Sequence, residues 1–456
     1  MENLLRFPIK NGTIEQYQGF SVRAWKGIPY CGAPVDEIQR LNLYAPECYF
    51  SGGTVNGYSL KTAPIFLPNW VGGYMPGLPA EPKIEENGDP NEVLAALQQG
   101  YVVACAGIRG RTTADNRGKA PALIVDMKAA IRYLRHNRDV IPGDTEKMIT
   151  SGTSADGALS ALTGTSGNAA AYAPYLEAIG AAEERDDIFA ANCYCPIINL
   201  EHADAAYEWQ FSRERYFRNW HGEGQLTDVQ MDLAKLLKAR FPEYLNGLSL
   251  RDAQGNTLSL DADGSGTFLE YVKQAVIRSA QAELDMPRNY KQTVPGSEVT
   301  KQSFLTIRDG KVEDLDWDGF IHAITRMKQP PAFDALTHSS PENEVFAGAD
   351  GAPRHFTSFS QARTGGPMAD AEIIRLLNPM EQLPSSGCAK HWRIRHGAYD
   401  RDTSLAISTM FALALNMRGC RVDFHLPWGI PHSGNYDLPE LFAWINGLCK
   451  GCVTVS

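Results

Sequence analysis

The sequence predicts an α/β protein whose parallel sheet is assembled from both ends of the chain around a long central insertion. Three observations carry this. Short apolar runs flanked by Pro, Gly and Asn occur at 63–67 (APIFL) and 101–106 (YVVACA), as buried parallel strands require. Between 121 and 136 the apolar positions Ile124, Met127, Ile131 and Leu134 recur at helical spacing. Strand–helix alternation resumes late in the chain, after a middle stretch that lacks it.

The elements follow in order. Pro142-Gly143-Asp144 makes a turn before a strand at 148–150. GTSADGALSALTG then reads as a tight turn running into an Ala-rich helix, with a further strand at 188–194. From 199 to 385 charge and aromatics dominate, with helical pieces at 228–239 and 268–282. The segment DADGSG matches the start of a calcium loop at Asp261, Asp263, Ser265 and Gly266. Position 12 of that pattern is Val272 rather than Glu, so a β-turn is expected. A strand at 390–395, a helix at 403–417, a strand at 421–426 and a helix at 438–448 close the chain. The division is therefore 1–198 with 386–456 as one α/β domain, and 199–385 as an inserted cap.

The 456 residues are enough for one large domain with an insertion. A formal charge of −10 argues against a nucleic-acid partner, which would require a basic face. No window approaches the roughly 20 apolar residues that span a membrane, and the N-terminus lacks a secretory pattern. A cytoplasmic protein is expected. The nine cysteines are scattered, and Cys449-Lys-Gly-Cys452 has neither a second such pair nor a His pair nearby. Small buried hydrophobes in a reducing compartment are the expectation, with no metal and no cofactor.

Strand, sharp turn and helix with Ser at the apex is where a nucleophile elbow must sit. A serine hydroxyl needs a base to take its proton and must stand clear of the sheet for a His to reach it. Ser154, in Gly152-Thr153-Ser154-Ala155-Asp156-Gly157, occupies that place. Chain order on such a fold runs Ser, acid, His. RHGAYDRDTS offers Asp400 just past a strand, with Asp402 and Asp437 as rival acids, and LPWGIPHSGNYD offers His432. His396, four residues before Asp400, reads as a decoy. The Gly-Gly turn after APIFL suits the second oxyanion donor, so the backbone N–H groups of Gly73 and Ala155 are the candidates. Asp156 stands where G-x-S-x-G has its second Gly. It is expected to weaken catalysis by crowding the elbow and setting a negative charge near the oxyanion.

These residues lie within longer strings, including PNWVGGYMPG, AGIRGRTT, TRMKQPPAFD, KHWRIRHGAYDRDTS and DFHLPWGIPHSGNYDLPELFAWINGLC. On these strings the chain resembles the bacterial tannases, the tannin acyl hydrolases of lactobacillus type, from about Leu41 to the C-terminus. The resemblance implies an α/β-hydrolase fold with an inserted lid and a triad of Ser154, Asp400 and His432. It also implies a galloyl pocket of Lys328, Glu342 and Asp402. The expected substrate is a small-molecule galloyl ester, cleaved through an acyl-enzyme. A feruloyl or other aryl esterase, and an inactive ligand-binding homologue, are the alternatives. The family's elbow reads GTSAGG, so Asp156 departs from the family too.

Overall fold

The computed structural model describes residues 4–288 and 290–451. Seven strands come from the first part of the chain: β1 (Thr13–Tyr17), β2 (Phe20–Pro29), β3 (Arg40–Pro46), β4 (Pro64–Pro68), β5 (Val102–Ala106), β6 (Asp144–Thr153) and β7 (Ala190–Tyr194). The middle holds two hairpins, β8 (Tyr216–Asn219) with β9 (Gly222–Gln225) and β10 (Leu305–Arg308) with β11 (Lys311–Leu315). The end supplies β12 (His391–Arg395) and β13 (Arg421–His425). One nine-stranded sheet runs in the order β1-β2-β3-β5-β4-β6-β7-β12-β13.

From β5 across to β13 every pairing is parallel. β4, β5 and β7 are buried along their whole length, which is why they read as continuous apolar runs rather than alternating ones. β7 is followed in the sheet by β12, nearly 200 positions later in the chain, so the sheet is closed across the insertion. Helices Ala122–His136 and Leu405–Met417 bury nearly all of their residues against this sheet and its neighbours.

Two features differ from the sequence reading. The antiparallel ribbon β1–β3 was not predicted: β1 is half exposed and lacks a clean apolar alternation. The middle stretch is not strand-free, but its two hairpins are short and polar. The sequence DADGSG forms a turn in which Gly264 N–H donates to Asp261 and Asp261 N–H to Ser265, with Asp263 accepting from Ser265. Cys452 lies outside the described residues, and the other eight cysteines are free thiols. Among the described residues no helix is long and apolar enough to cross a membrane.

Candidate active site

Every candidate residue from the α/β part lies just beyond the carboxyl end of a strand, where open α/β sheets gather their ligands. Ser154 follows β6 directly and opens helix Ala155–Thr165. Its backbone has φ 64 and ψ −121, a conformation that non-glycine residues rarely adopt and that surrounding structure must enforce. That enforcement is visible. Ser154 N–H donates to Tyr194 O (3.0 Å), and Ser154 O accepts from Ile197 N–H (3.2 Å) and Ala158 N–H (2.9 Å). The helix passes so close to β7 that a Cβ on Gly157 would lie 2.6 Å from Tyr194 O. The close approach that G-x-S-x-G assigns to its second Gly is thus served one position later.

Asp156 turns the other way. Its carboxylate accepts a short hydrogen bond from the backbone N–H of Val71, in the loop after β4. Burial pushes its carboxyl up to about 7, partly offset by backbone donors at Val71 and Thr153. Asn69 ties the same loop to the elbow, donating to Ser151 O (2.8 Å), Asp156 O (3.3 Å) and Ser160 Oγ (3.1 Å). Gly73, two residues past Val71, has φ 59 and open space where a side chain would stand. Ala155 is the first residue of its helix, so its N–H has no intrahelical acceptor and is available to an anion.

The loop after β12 brings Asp400 to His432, with His432 Nδ1 2.8 Å from Asp400 Oδ2. Asp400 is fully buried, and its other oxygen accepts from Asp402 N–H (2.7 Å) and Thr403 N–H (3.3 Å). Burial alone would raise its pKa, but the charges of His432 and His396 hold it well below the usual carboxylate range. His396 Nε2 lies 3.2 Å from Oδ2, the oxygen that faces His432, and its Nδ1 is 2.8 Å from Ser408 Oγ. The presumed decoy is therefore a direct neighbour of the acid. Asp437, the third rival, is committed elsewhere, to Arg393 and to Tyr194 Oη (2.5 Å).

His432 sits in a loop that packs on the elbow: a Cβ on Gly434 would meet Thr153 Oγ1 at 1.8 Å. Only glycine fits there. Cys195 Sγ lies 4.0 Å from His432 Nε2, a neighbour that nothing in the sequence marked. Cys195, Asp400 and His432 lie close enough to suggest a cation site. However, Asp400 is engaged by Nδ1, on the ring edge away from Nε2, so the cluster presents only two ligands to an ion at Nε2. Ser154 Oγ has no hydrogen-bond partner among the described residues.

The insertion delivers Lys328 and Glu342. Lys328 Nζ is 2.8 Å from Asp402 Oδ1 and stands 3.8 Å above the centre of the Phe333 ring. The lysine backbone is fixed by Tyr207, whose Oη accepts from Met327 N–H (3.0 Å) and Lys328 N–H (2.9 Å) and donates to Arg401 O (2.9 Å). Glu342 is buried in a short helix capped by Ser340. Burial raises its pKa and the nearby Lys328 charge opposes this. Burial lowers the Lys328 pKa, but Asp402 and Glu342 together carry it above the usual lysine value. The structure thus gathers all three side chains, with Asp402 two residues from Asp400.

The fold, the strained serine at a strand-to-helix apex and the Asp–His pair beside it define an α/β-hydrolase. The family model described as BD-FAE matches residues 77–210. The chain is similar to the tannin acyl hydrolase of Lactobacillus plantarum, at 46% identity and a TM-score of 0.93, covering 98% of this chain and 100% of that one. It is similar to a tannin acyl hydrolase solved in complex with ethyl gallate, at 46% identity, TM-score 0.92 and the same coverage. It is also similar to Fusobacterium nucleatum tannase, at 42% identity and TM-score 0.91, covering 97% and 99% of the two chains. None of the curated proteins compared with the chain matches it. The chain belongs to the tannase family of carboxylic ester hydrolases.

Proposed function

We propose that the protein hydrolyses galloyl esters to gallic acid through an acyl-enzyme on Ser154, in the cytoplasm, without metal or cofactor. His432 Nε2 takes the Ser154 proton as Oγ bonds to the ester carbonyl carbon. The N–H groups of Gly73 and Ala155 receive the oxyanion that forms. Collapse breaks the bond to the alcohol oxygen, which leaves with the proton from His432. Water then repeats the sequence, releasing gallate and restoring Ser154. Asp400 holds the imidazole tautomer and stabilises its cation.

One observation carries the choice of acyl group: a half-buried Lys328–Asp402 ion pair with the buried Glu342 beside it, Asp402 lying two residues from Asp400. Three adjacent phenolic hydroxyls offer donors to two carboxylates and acceptors to an ammonium. A pocket built for them rejects rings lacking them, whose binding would leave its polar atoms unpaired. Residues 199–385 act as the lid, since they supply Lys328 and Glu342 while Asp402 comes from the sheet domain. The eight free cysteines agree with a reducing compartment. The relative bound to ethyl gallate supports the substrate class.

Hydrolysis of methyl gallate and methyl ferulate, measured side by side, tests the reading. Methyl gallate is expected to be strongly preferred, and to be inert with Ser154→Ala. Equal rates would return the protein to the broader aryl esterases.

A further inference from the structure

Two of the free cysteines meet at the amino ends of β12 and β13, the ends opposite the loops of Asp400 and His432. Cys388 lies three residues before β12, and Cys420 is the residue before β13. Backbone bonds hold this junction, with Ala389 N–H donating to Gly164 O (2.7 Å) and Arg421 N–H to Lys390 O (2.8 Å). Both sulfurs face one carbonyl: Cys388 Sγ is 3.6 Å and Cys420 Sγ 3.4 Å from Ala389 O. The two thiols are also hydrogen-bonded to each other. We propose that Cys388 and Cys420 form a redox-active dithiol, a site that a peroxide converts to a disulfide. The proposal is independent of the ester that the enzyme cleaves.

The hydrogen bonds set this pair apart from small core residues. Ala389 O has two lone pairs, yet three donors converge on it, the third being the Trp392 indole N–H at 2.8 Å. One sulfur is thereby released from donating and can accept instead. Cys420 holds that position, since Cys388 and the Trp392 indole both donate to it. The Cys388 bond draws its thiol down to about 7 against the effect of burial, helped by the Lys390 charge, the indole and the Arg418 charge. The same bond pushes the Cys388 thiol up, so Cys388 keeps its proton. Cys388 is half-buried and Cys420 7% exposed, so the pair opens to solvent on the Cys388 side. By contrast Cys105 and Cys193 are fully enclosed, and burial chiefly pushes their thiols up.

Oxidation takes two steps. The Cys420 thiolate attacks one peroxide oxygen and the O–O bond breaks. The other oxygen leaves as hydroxide and takes up the proton that Cys420 had lost, giving water. Cys388 then attacks the sulfenic sulfur of Cys420. The S–S bond forms, the S–O bond breaks, and the Cys388 proton leaves with that oxygen as a second water. Two electrons pass from the sulfurs to the peroxide. The link closes residues 388–420, which hold β12, the Asp400 loop and helix Leu405–Met417. Closing that segment restricts the unfolded chain, so the oxidised protein is the more stable form.

The test treats the parent, Cys388→Ser and Cys420→Ser with a slight excess of hydrogen peroxide and maps the tryptic peptides by mass. A parallel sample contains dimedone to trap sulfenic acid. The parent is expected to lose two thiols and to join peptides 376–390 and 419–421 through one disulfide. Cys388→Ser should stop at the sulfenic acid and carry the trap on Cys420, whereas Cys420→Ser should leave Cys388 a thiol. Oxidation should raise the parent's Tm by about 2–4 °C, reversed by a reductant and absent from both variants. The pairing is read from the parent alone, whatever the folding of the variants. Cys388 and Cys420 that stay reduced in the treated parent, or that pass to sulfinic acid without joining, would overturn the dithiol. A joined parent with unchanged Tm would overturn the stabilising closure.

Discussion

Asp156 accepts the backbone N–H of Val71, so the residue that breaks the elbow motif also anchors the loop that carries Gly73. Two opposing effects meet at this carboxylate. Its charge disfavours a nearby oxyanion, while its hydrogen bond fixes the loop. With the carboxyl pushed up to about 7 by burial, the charge is only half developed at neutral pH. Glu92, also raised to about 7 by burial and bonded to Ser151 Oγ (3.0 Å) and Asn435 Nδ2 (3.0 Å), pushes the Asp156 carboxyl up further by its charge. Asp156→Asn keeps an acceptor and removes the charge, so its kcat should exceed the parent's by up to about tenfold. The excess should grow as pH rises from 6 to 8, because the parent ionises over that window. Asp156→Ala loses the tie and should lower kcat with little change in KM. An Ala variant faster than Asn would show that the bond to Val71 contributes nothing.

On the proposed mechanism the two aspartates of the acid loop divide the work. Asp400→Asn should lower kcat on every ester by several orders of magnitude, since the imidazole loses both its tautomer and its counter-charge. Asp402→Asn should cost far more on gallates than on acetyl esters. His396→Gln, which alters the neighbour 3.2 Å from Asp400, should give a loss of about tenfold on all esters alike. The reverse pattern for Asp400 and Asp402 would exchange their roles.

On the proposed mechanism the acid limb of the pH profile belongs to His432. Burial lowers its pKa, but Asp400 raises it more, and the result lies well above the ordinary imidazole value. A base must be neutral, so activity should climb as pH rises through that pKa, with its midpoint above the usual 6.5 or so. In Asp400→Asn the raising charge is gone. The residual activity should then show its limb at lower pH, as kcat/KM against pH will reveal.

The parallel half of the fold was legible because burial on both faces leaves an unmistakable apolar run, as at 63–67, 101–106 and 148–150. The strand-to-helix turn at Ser154 and the loops that pair Asp400 with His432, on which the proposed triad rests, were legible because chain order and loop position are local properties. Neighbours created by the fold were not. His396 reaches Asp400 through a turn, and Cys195 arrives from a different strand. β8 and β9, with sequences YFRN and GEGQ, offer no apolar alternation to read. Nor was the partner of Asp156 legible. Its place in the motif was plain, but its partner Val71 lies 85 positions away and no pattern links them.

Buried acids outside the triad set the pH dependence of stability. Asp204 is fully buried, accepts from Phe333 N–H (2.7 Å) and Asp334 N–H (3.1 Å), and is pushed up to about 7, chiefly by burial. Glu201 is pushed to about 7 in the same way. A folded pKa above the unfolded value of about 4 means that the folded state keeps a proton the unfolded chain has lost. The contribution is therefore complete below about pH 4 and is lost as pH rises towards 7. Thermal unfolding should show Tm falling across that window, and Asp204→Asn should flatten the fall. A Tm that rises steadily from pH 5 to 7 in the parent and is unchanged in slope by Asp204→Asn would remove these acids from the account.

Lys328 and Asp402 should behave as one unit. Their ion pair is 2.8 Å long, and each side chain is about a fifth exposed or less, at 21% and 17%. Removing one partner leaves the other charge uncompensated, a situation that typically costs about 3–5 kcal/mol in fully buried pairs and less at this exposure. Lys328→Met and Asp402→Asn should each raise KM for methyl gallate sharply, while the double variant should lose much less than the sum. The hydroxyl ladder supplies the independent reading. Methyl gallate should be best, methyl 3,4-dihydroxybenzoate next and methyl benzoate nearly inert. Each step should cost roughly 1.5–3 kcal/mol of transition-state binding, the worth of a hydrogen bond to a charged group. In the double variant the ladder should collapse, since Glu342 alone remains to read the hydroxyls. A ladder of unchanged steepness there would place the galloyl hydroxyls away from Lys328 and Asp402. The preference for gallate would then have to come from other walls of the site.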